Sequence, residues 1–425
     1  MRCELKTGLD LSIAGAPAGD TVHEKAVASA AILGREFPGV KFELLVEQGS
    51  SVKAGEALLR DRHRPAVVFT SPISGTLGSI NRGARRALVS LTVIGDDADN
   101  AVVFHVPDMP SRAQIRRLML DSGLWTALRS RPFGHIPDPA GEPKALFVTA
   151  VDTEPLAPDP ALVIAAHPSE FCRGMDALSQ LTESPLYLCQ AGNADIPVGE
   201  SRRLHVAEFE GPHPAGLPGT HIHQLCPIGF DGAEVWHIGY QDVIALGCLM
   251  ATGRSWLQRV ISLAGPAVDD PRLITLPVGA AIDEVAAGEL NDEGARVISG
   301  SFLSGHIAVG TEAYLGRHHR QITALPEANQ ESLSPWRTAV FDTALGGEPG
   351  PLIPTGDFER VALPGILPVP LLRALLVGDV ERARDLGALE LVEEDLMLLS
   401  YVCPSKTDYG LLLRRVLEQL REEAT

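Results

Sequence analysis

Four histidines in the middle of the chain come nearest to a metal-binding pattern: His213, His221, His223 and His237. Imidazole nitrogens are common zinc ligands, and in a His-x-His pair on a strand both rings point the same way. No cysteine or clear carboxylate set accompanies these histidines. Hydrogen-bonded loop histidines are therefore the favoured interpretation, and we predict no metal ligand in this chain.

A glycine-rich segment overlaps these histidines and could in principle hold a phosphate. Its glycines, Gly211, Gly216 and Gly219, have the spacing G-x4-G-x2-G. This spacing departs from the dinucleotide fingerprint G-x-G-x-x-G and from the phosphate loop G-x4-G-K-[ST]. Sharp turns need the same glycines, so the pattern favours a turning loop over phosphate binding.

The cysteines do not form a redox or metal motif. All six are scattered without a CxxC pair, which argues against iron–sulfur ligation, structural zinc and a dithiol centre. No G-x-S-x-G elbow supports serine hydrolase chemistry either. The individual residues therefore do not predict an active site in this chain.

Composition narrows the class of protein further. A chain of 425 residues is too long for one compact core, and its net charge of -18 repels nucleic-acid phosphate, so we expect no nucleic-acid partner. Apolar stretches such as Val361–Leu372 are shorter than a spanning helix and carry prolines. The segment Met1–Lys6 lacks a signal-peptide pattern. We expect a protein of the cytoplasm with no transmembrane helix.

The first 100 residues read as a small β module. Strand-rich runs begin at Val46 and Phe69 and are separated by glycine turns. The pair resembles the two halves of a biotinyl/lipoyl-type barrel-sandwich hybrid domain. The hairpin between the halves, Asp61–Pro65, has no lysine for the carrier amide. We therefore predict a packing module over residues 1–100.

Residues 101–258 alternate helical and strand patterns, which is typical of a Rossmann-like α/β domain. Ser111 is a suitable N-cap for a first amphipathic helix. Buried strands are predicted over Ala145–Ala150 and His205–Phe209, and a helix over Asp242–Met250.

The last part of the chain divides into three predicted segments. Residues 259–325 resemble a β-grasp module of the soluble-ligand-binding (SLBB) type, and residues 326–355 form a connecting segment. Residues 356–425 read as a C-terminal helical segment with helices over Pro370–Val377, Asp379–Leu386, Glu393–Tyr401 and Tyr409–Glu423. The predicted fold class is therefore a multidomain α/β protein.

Seven segments, in order along the chain, carry a resemblance to one family: Gly8–Pro17, Gly211–His223, Trp236–Val243, Arg296–Ser301, Tyr314–Arg317, Tyr401–Pro404 and Tyr409–Arg414. Together they resemble the NqrA family, which supplies one subunit of the bacterial sodium-translocating NADH:quinone oxidoreductases. This family is distantly related to the RnfC component of the Rnf complex. The resemblance extends from residue 8 to beyond residue 414.

The resemblance implies a peripheral subunit on the cytoplasmic face of the bacterial inner membrane. Its partners would be the other subunits, B to F, of a translocase that couples NADH oxidation and quinone reduction to sodium export. The family's relatives carry a glycine-rich flavin loop where this chain has Ser122–Gly134, with bulky Trp125, Arg129 and Arg131. We therefore expect no cofactor on this chain and no catalysis by it alone. NADH, flavins, iron–sulfur and quinone would belong to the complex.

The resemblance also points to a quinone-related role in the segment Arg131–Pro137. The Phe133 ring and the apolar Ile136 suit a quinone headgroup, and the His135 imidazole suits its carbonyl. Phe133 and His135 are therefore the candidate quinone-binding residues, with an ordinary surface loop as the alternative.

Two other functions stay open at this point. The glycine-rich loop is compatible with a free-standing NADH- or flavin-dependent oxidoreductase. The β-grasp and helical parts are compatible with an interaction module unrelated to respiration.

Overall fold

A computed structural model describes residues 1–424 except positions 97, 99, 200, 202, 230, 231, 293 and 327–350. Most of the predicted connecting segment, 326–355, lies outside the described residues. The strands are β1 (Arg2–Glu4), β2 (Val22–Glu24), β3 (Ser29–Leu33), β4 (Phe42–Leu44), β5 (Ser51–Val52), β6 (Ala57–Asp61), β7 (Val68–Thr70), β8 (Gly75–Arg82), β9 (Leu88–Gly95), β10 (Arg129–Arg131), β11 (Leu146–Ala150), β12 (Leu186–Ala191), β13 (Leu204–Glu210), β14 (Val235–Gly239), β15 (Gln258–Ala264), β16 (Arg272–Pro277), β17 (Arg296–Ser299), β18 (His306–Ile307) and β19 (Gln321–Leu325).

The α-helices are α1 (Arg112–Asp121), α2 (Pro160–Ala166), α3 (Pro168–Leu181), α4 (Pro218–Leu225), α5 (Tyr240–Thr252), α6 (Ile282–Ala286), α7 (Gly356–Val361), α8 (Pro368–Val377), α9 (Val380–Asp385), α10 (Met397–Val402) and α11 (Tyr409–Ala424). Short 3-10 turns cover Gly34–Glu36, Ala84–Arg86, Leu124–Ala127, Gly310–Glu312, Ala388–Glu390 and Glu393–Leu396.

The N-terminal sandwich consists of two antiparallel sheets, β3-β9-β8-β5 and β4-β6-β7. Phe37, Phe42 and Phe69 meet edge to face inside it, with ring centroids 4.7 to 6.2 Å apart. The hairpin between β6 and β7 carries a buried Asp61 paired with Arg64 at 2.8 Å. The Arg64 guanidinium also donates to the Ile136 carbonyl. The hairpin therefore contacts the candidate quinone segment.

The second sheet has the order β1-β13-β12-β11-β14-β10, and every pair is parallel except β10 with β14. Strand β11 is buried along its whole length. Its Leu146 and Val148 pack in one core with α3 and α5, while Phe147 packs in another core with α4. Burial of both faces explains why all residues of this strand except Thr149 are apolar. The observed strand begins one residue after its predicted start.

The third sheet, β18-β17-β19-β15-β16-β2, has the short helix α6 in its connection from β16 to β17. The first strands of the chain lie outside the sandwich, because β1 extends the α/β sheet beside β13 and β2 extends the β-grasp sheet beside β16. These two strands tie the beginning of the chain to both later modules.

The C-terminal helices enclose a separate apolar core. Helix α11 buries Leu413, Val416, Leu417 and Leu420 in it, so the predicted apolar face packs on the body of the protein. The predicted helix over Glu393–Tyr401 is instead a 3-10 turn followed by α10.

Candidate functional site

A tight turn follows β10 and holds the predicted quinone residues. The peptide bond after Arg131 is cis, and Phe133 and Gly134 have φ angles of 78° and 66°. The Ser130 N–H donates to the His135 carbonyl at 2.8 Å, and the Gly134 N–H donates to the Ser130 carbonyl at 2.9 Å. These hydrogen bonds close the segment, which we call the 131–137 turn.

The 131–137 turn is not a surface loop, so that alternative is wrong. Arg131, His135 and Ile136 are buried, and Phe133 is partly buried against the C-terminal helical core. The Phe133 and His135 ring centroids lie 6.4 Å apart at 82°. The two candidate residues are therefore close together, beneath the C-terminal helices.

Charged groups from the C-terminal segment hold the turn in place. Arg131 is completely buried and donates to Asp395 at 3.0 Å and to Glu394 at 3.1 Å. Arg414 of α11 binds Glu393 at 2.6 Å and donates to the Phe133 carbonyl at 2.6 Å. Charge-assisted contacts of this kind fix the backbone of the turn against α11.

The His135 imidazole has one ring nitrogen occupied and one free. The Arg421 guanidinium donates to Nδ1 at 2.7 Å, and because arginine cannot accept a hydrogen bond, Nδ1 must be the acceptor. Burial, followed by the positive charges of Arg421 and Arg414, lowers the pKa of His135 to about 3. The neutral ring therefore carries its proton on Nε2. Nε2 is buried and has no hydrogen-bond partner among the described residues.

A polar cavity of about 310 Å³ lies at the carboxyl ends of β11 and β14. Open α/β sheets commonly bind ligands at this edge. Its lining includes Arg35 and Glu36 from the sandwich, Asp152 and Glu154 after β11, Gly239–Asp242 around the end of β14, Arg317–Gln321 from the β-grasp module, and Val392–Glu394. Phe133 and His135 do not line it.

Ion pairs run along the wall of this cavity. Arg320 binds Asp152 at 2.8 Å, and Arg317 and Arg259 both bind Asp242, the former at 3.0 Å. An apolar cavity of about 70 Å³ shares Asp242, Arg259 and Arg317 with it. Sequence reasoning missed this wall, since no motif links positions so far apart along the chain.

Packing accounts for the glycine-rich segment. A Cβ on Gly211 would lie 2.3 Å from the Leu5 carbonyl oxygen, one on Gly216 2.5 Å from the Thr153 nitrogen, and one on Gly219 2.0 Å from an Asp395 oxygen. Each glycine is therefore needed for the close approach of another part of the chain.

The predicted loop ends at His223, but its last residues are helical, because α4 begins at Pro218. The prediction is wrong for that part of the segment. Proline suits the first turn of a helix, which explains how this sequence starts one. His221 and His223 then point in different directions, unlike a His-x-His pair on a strand. His213, His221 and His223 instead contact Thr153, the Ala215 carbonyl and the Pro364 carbonyl at 3.1, 2.9 and 2.7 Å.

No helix in the described part of the chain is long and apolar enough to cross a membrane.

Comparison with known proteins gives matches along most of the chain. Family models match the NqrA N-terminal barrel-sandwich hybrid domain at residues 3–96, the NqrA second alpha/beta domain at 110–255 and the NQRA C-terminal domain, of SLBB type, at 260–310. These matches and the observed sheets confirm the predicted fold class. The exact boundaries at 100, 258 and 325 stay predictions.

Relatives match over nearly the whole chain. The NqrA-type subunit of the Na(+)-translocating NADH-quinone reductase of a Neisseria meningitidis serogroup C strain is 44% identical over 446 residues, covering 99% of each chain. The proteins of the same description from Neisseria gonorrhoeae and Haemophilus influenzae are 43% identical, again with 99% of each chain covered.

Proposed function

The chain belongs to the NqrA family of Na(+)-translocating NADH-quinone reductase subunits, and we propose that it is the peripheral NqrA component of such a complex. In this role it binds the cytoplasmic face of the other subunits, B to F, and carries no redox cofactor itself. Similarity over 99% of each chain supports the role, because the match is not confined to one module. The complex would couple NADH oxidation and quinone reduction to sodium export.

Purification of the complex through a tag on this chain tests the subunit role. We expect the other subunits to copurify from detergent-solubilised membranes in fixed stoichiometry. We expect the separately purified chain to show no flavin or iron–sulfur absorbance. A stoichiometric chromophore on the isolated chain would contradict the cofactor-free assignment, and absence of the other subunits would contradict the assembly.

The 131–137 turn contributes to quinone binding in this proposal. The observation that carries it is the buried Nε2 of His135, a donor without a partner among the described residues. A quinone carbonyl is an acceptor that would satisfy it. The partly buried Phe133 ring beside it supplies apolar surface for the headgroup.

Quinone titration of purified variants tests this site. We expect His135→Ala to lose about 1 kcal/mol of binding free energy, and Phe133→Ala a few kcal/mol if its ring packs on the headgroup. Leu376→Ala is a matched control, because Leu376 is partly buried in the same C-terminal core. Unchanged quinone affinity in both variants, or an equal loss in the control, would contradict a direct role of the turn.

A free-standing NADH- or flavin-dependent oxidoreductase is the alternative. This alternative depends on the spacing of the glycines in the glycine-rich segment, and the close packing of the chain around those glycines accounts for the same spacing. Saturable binding of NADH or flavin to the purified chain would revive it. An interaction module unrelated to respiration is no longer favoured, since the chain belongs to a family of respiratory subunits.

A further inference from the structure

A carboxylate and two imidazoles meet where the sandwich contacts the β-grasp module. One ligand atom each from Glu36, His306 and His319 lies within 4.8 Å of the others. Glu36 ends the 3-10 turn after β3, His306 begins β18, and His319 lies just before β19. The described residues hold no other group of this composition and compactness.

Each imidazole is anchored through one nitrogen. His306 is 7% exposed, and its Nε2–H donates to the Glu312 carbonyl at 3.2 Å, which leaves Nδ1 as a lone-pair donor. This Nδ1 is buried without a hydrogen-bond partner among the described residues. The His319 Nδ1 contacts the Ser299 hydroxyl at 2.8 Å, which leaves Nε2 as its second nitrogen. Metal-binding histidines are typically anchored in this way.

The His319 ring is also held rigidly by its neighbours. A Cβ on Gly316 would lie 2.5 Å from the His319 Nδ1, and a Cβ on Gly300 would lie 3.0 Å from its Cδ2. Two glycines therefore let the backbone close around the ring. Such pre-positioning lowers the entropy lost when the ring binds a ligand.

The surroundings leave room for a further ligand. Glu36 and His319 both line the polar cavity of about 310 Å³. Water can therefore reach an ion beside them and complete its coordination.

Two arginines near the cluster have carboxylate partners of their own. Arg35 is exposed and pairs with Glu312 at 3.3 Å, and Arg320 pairs with Asp152 at 2.8 Å. The Glu36 carboxylate lies in the cluster itself and adds a negative charge beside the imidazoles. Arg129 lines the same cavity without an ion pair among the described residues and adds to the repulsion of a cation, so this repulsion is only partly offset.

We propose that Glu36, His306 and His319 bind one divalent transition-metal ion and that this ion links the sandwich to the β-grasp module. Two imidazoles, one carboxylate and a water form an ordinary ligand set for zinc. The proposal rests on this cluster alone and is independent of the quinone site.

Titration of the full chain with Zn²⁺ after chelator treatment, against a chromophoric competitor, tests the site. We expect the parent chain to bind one Zn²⁺ ion tightly, and we expect Glu36→Gln and His319→Gln to lose this binding. Ser299→Ala should weaken it by about 10- to 100-fold, the usual cost of losing an anchoring partner. His318→Gln is the matched control, because His318 also lines the cavity but lies outside the cluster, and it should keep the parent affinity.

Thermal unfolding checks the binding in a second way, because a ligand that binds only the folded state raises the Tm. Zn²⁺ should raise the Tm of the parent and of His318→Gln but leave that of Glu36→Gln unchanged. Glu36 is partly exposed, so Glu36→Gln should fold like the metal-free parent. If His319→Gln misfolds, the result for Glu36→Gln decides the test of the site. Absence of a tight equivalent in the parent, or parent affinity in Glu36→Gln, would overturn the site. Parent affinity in His319→Gln would overturn the link, because this β-grasp residue would then not be a ligand.

Discussion

Two arginine–aspartate ion pairs stabilise this chain in different surroundings. Arg131 and its partner Asp395 both have side chains with no exposed surface, and they join the α/β sheet to the C-terminal segment. Arg320 and Asp152 join the β-grasp module to the same sheet, but they line a cavity of about 310 Å³. One pair is sealed from water, whereas the other borders a space that water or a ligand can occupy.

The difference determines what happens when a pair is broken. A buried charge that loses its partner keeps the full cost of its desolvation. A charge at a cavity wall can be hydrated in place, so its loss costs less and its partner stays available to a ligand. The sealed pair therefore serves assembly of the fold, and the cavity pair is the one suited to binding.

The largest expected effect comes from breaking the sealed pair. Arg131→Ala removes the hydrogen bond from the guanidinium to the Asp395 carboxylate, which stays buried. Among the described residues, the carboxylate then keeps the hydrogen bond from the Val392 N–H at 2.8 Å. We expect the free energy of unfolding to fall by about 3–5 kcal/mol, measured by urea denaturation.

A double variant sharpens this result. Replacing both charges, as in Arg131→Met with Asp395→Leu, removes the unpaired carboxylate and should restore much of the lost stability. A loss below about 1 kcal/mol in the single variant would show that water reaches Asp395, and the contrast between the two pairs would then be wrong.

A smaller effect is expected at the cavity wall. Arg320→Gln removes the partner of Asp152, but the cavity admits water, so we expect a loss of about 1–3 kcal/mol by the same measurement. Arg129→Gln is its control, because Arg129 lines the same cavity and has no ion pair within 4.0 Å in the described part of the chain. If Arg320→Gln and Arg131→Ala lowered the free energy of unfolding equally, the contrast between the sealed pair and the cavity pair would be wrong.

Local sequence signals predicted the elements of the fold well. Ser111 caps α1 with Gln114 in a capping box, and the apolar run after Ala145 forms β11. These signals act within a few residues, so they can be read from the sequence alone. The helix α4 was missed because its Pro218 and Gly219 also suit a loop, and only the position of Pro218 in the first turn distinguishes a helix from a loop.

The surroundings of the candidate residues could not be predicted in this way. Arg131 and Asp395 are 264 residues apart, so no spacing rule connects them. A proline-bounded segment such as 131–137 resembles a surface loop until the C-terminal helices are placed over it. The cluster of Glu36, His306 and His319 likewise arises only when two modules meet. The chemistry of Phe133 and His135 was readable, whereas their burial was a tertiary property, and their quinone role stays a prediction.

At neutral pH the smallest expected effect is that of His135, a pH dependence that originates in the sealed region and grows only as the pH falls. The pKa of His135 is lowered from 6.5 to about 3 by burial and by the charges of Arg421, Arg414, Arg64 and Arg129. Between these two values the unfolded chain binds a proton that the folded chain does not, so stability falls as the pH drops below about 6.5. This histidine contributes up to ~1.4 kcal/mol per pH unit. His135→Gln should flatten the acid limb of the urea-unfolding profile by that slope, and the replacement of the exposed His63 by glutamine is the control variant. An unchanged acid limb in His135→Gln would mean that the ring binds its proton in the fold as readily as in the unfolded chain, and the assignment of Nδ1 as the acceptor of the Arg421 hydrogen bond would then be wrong.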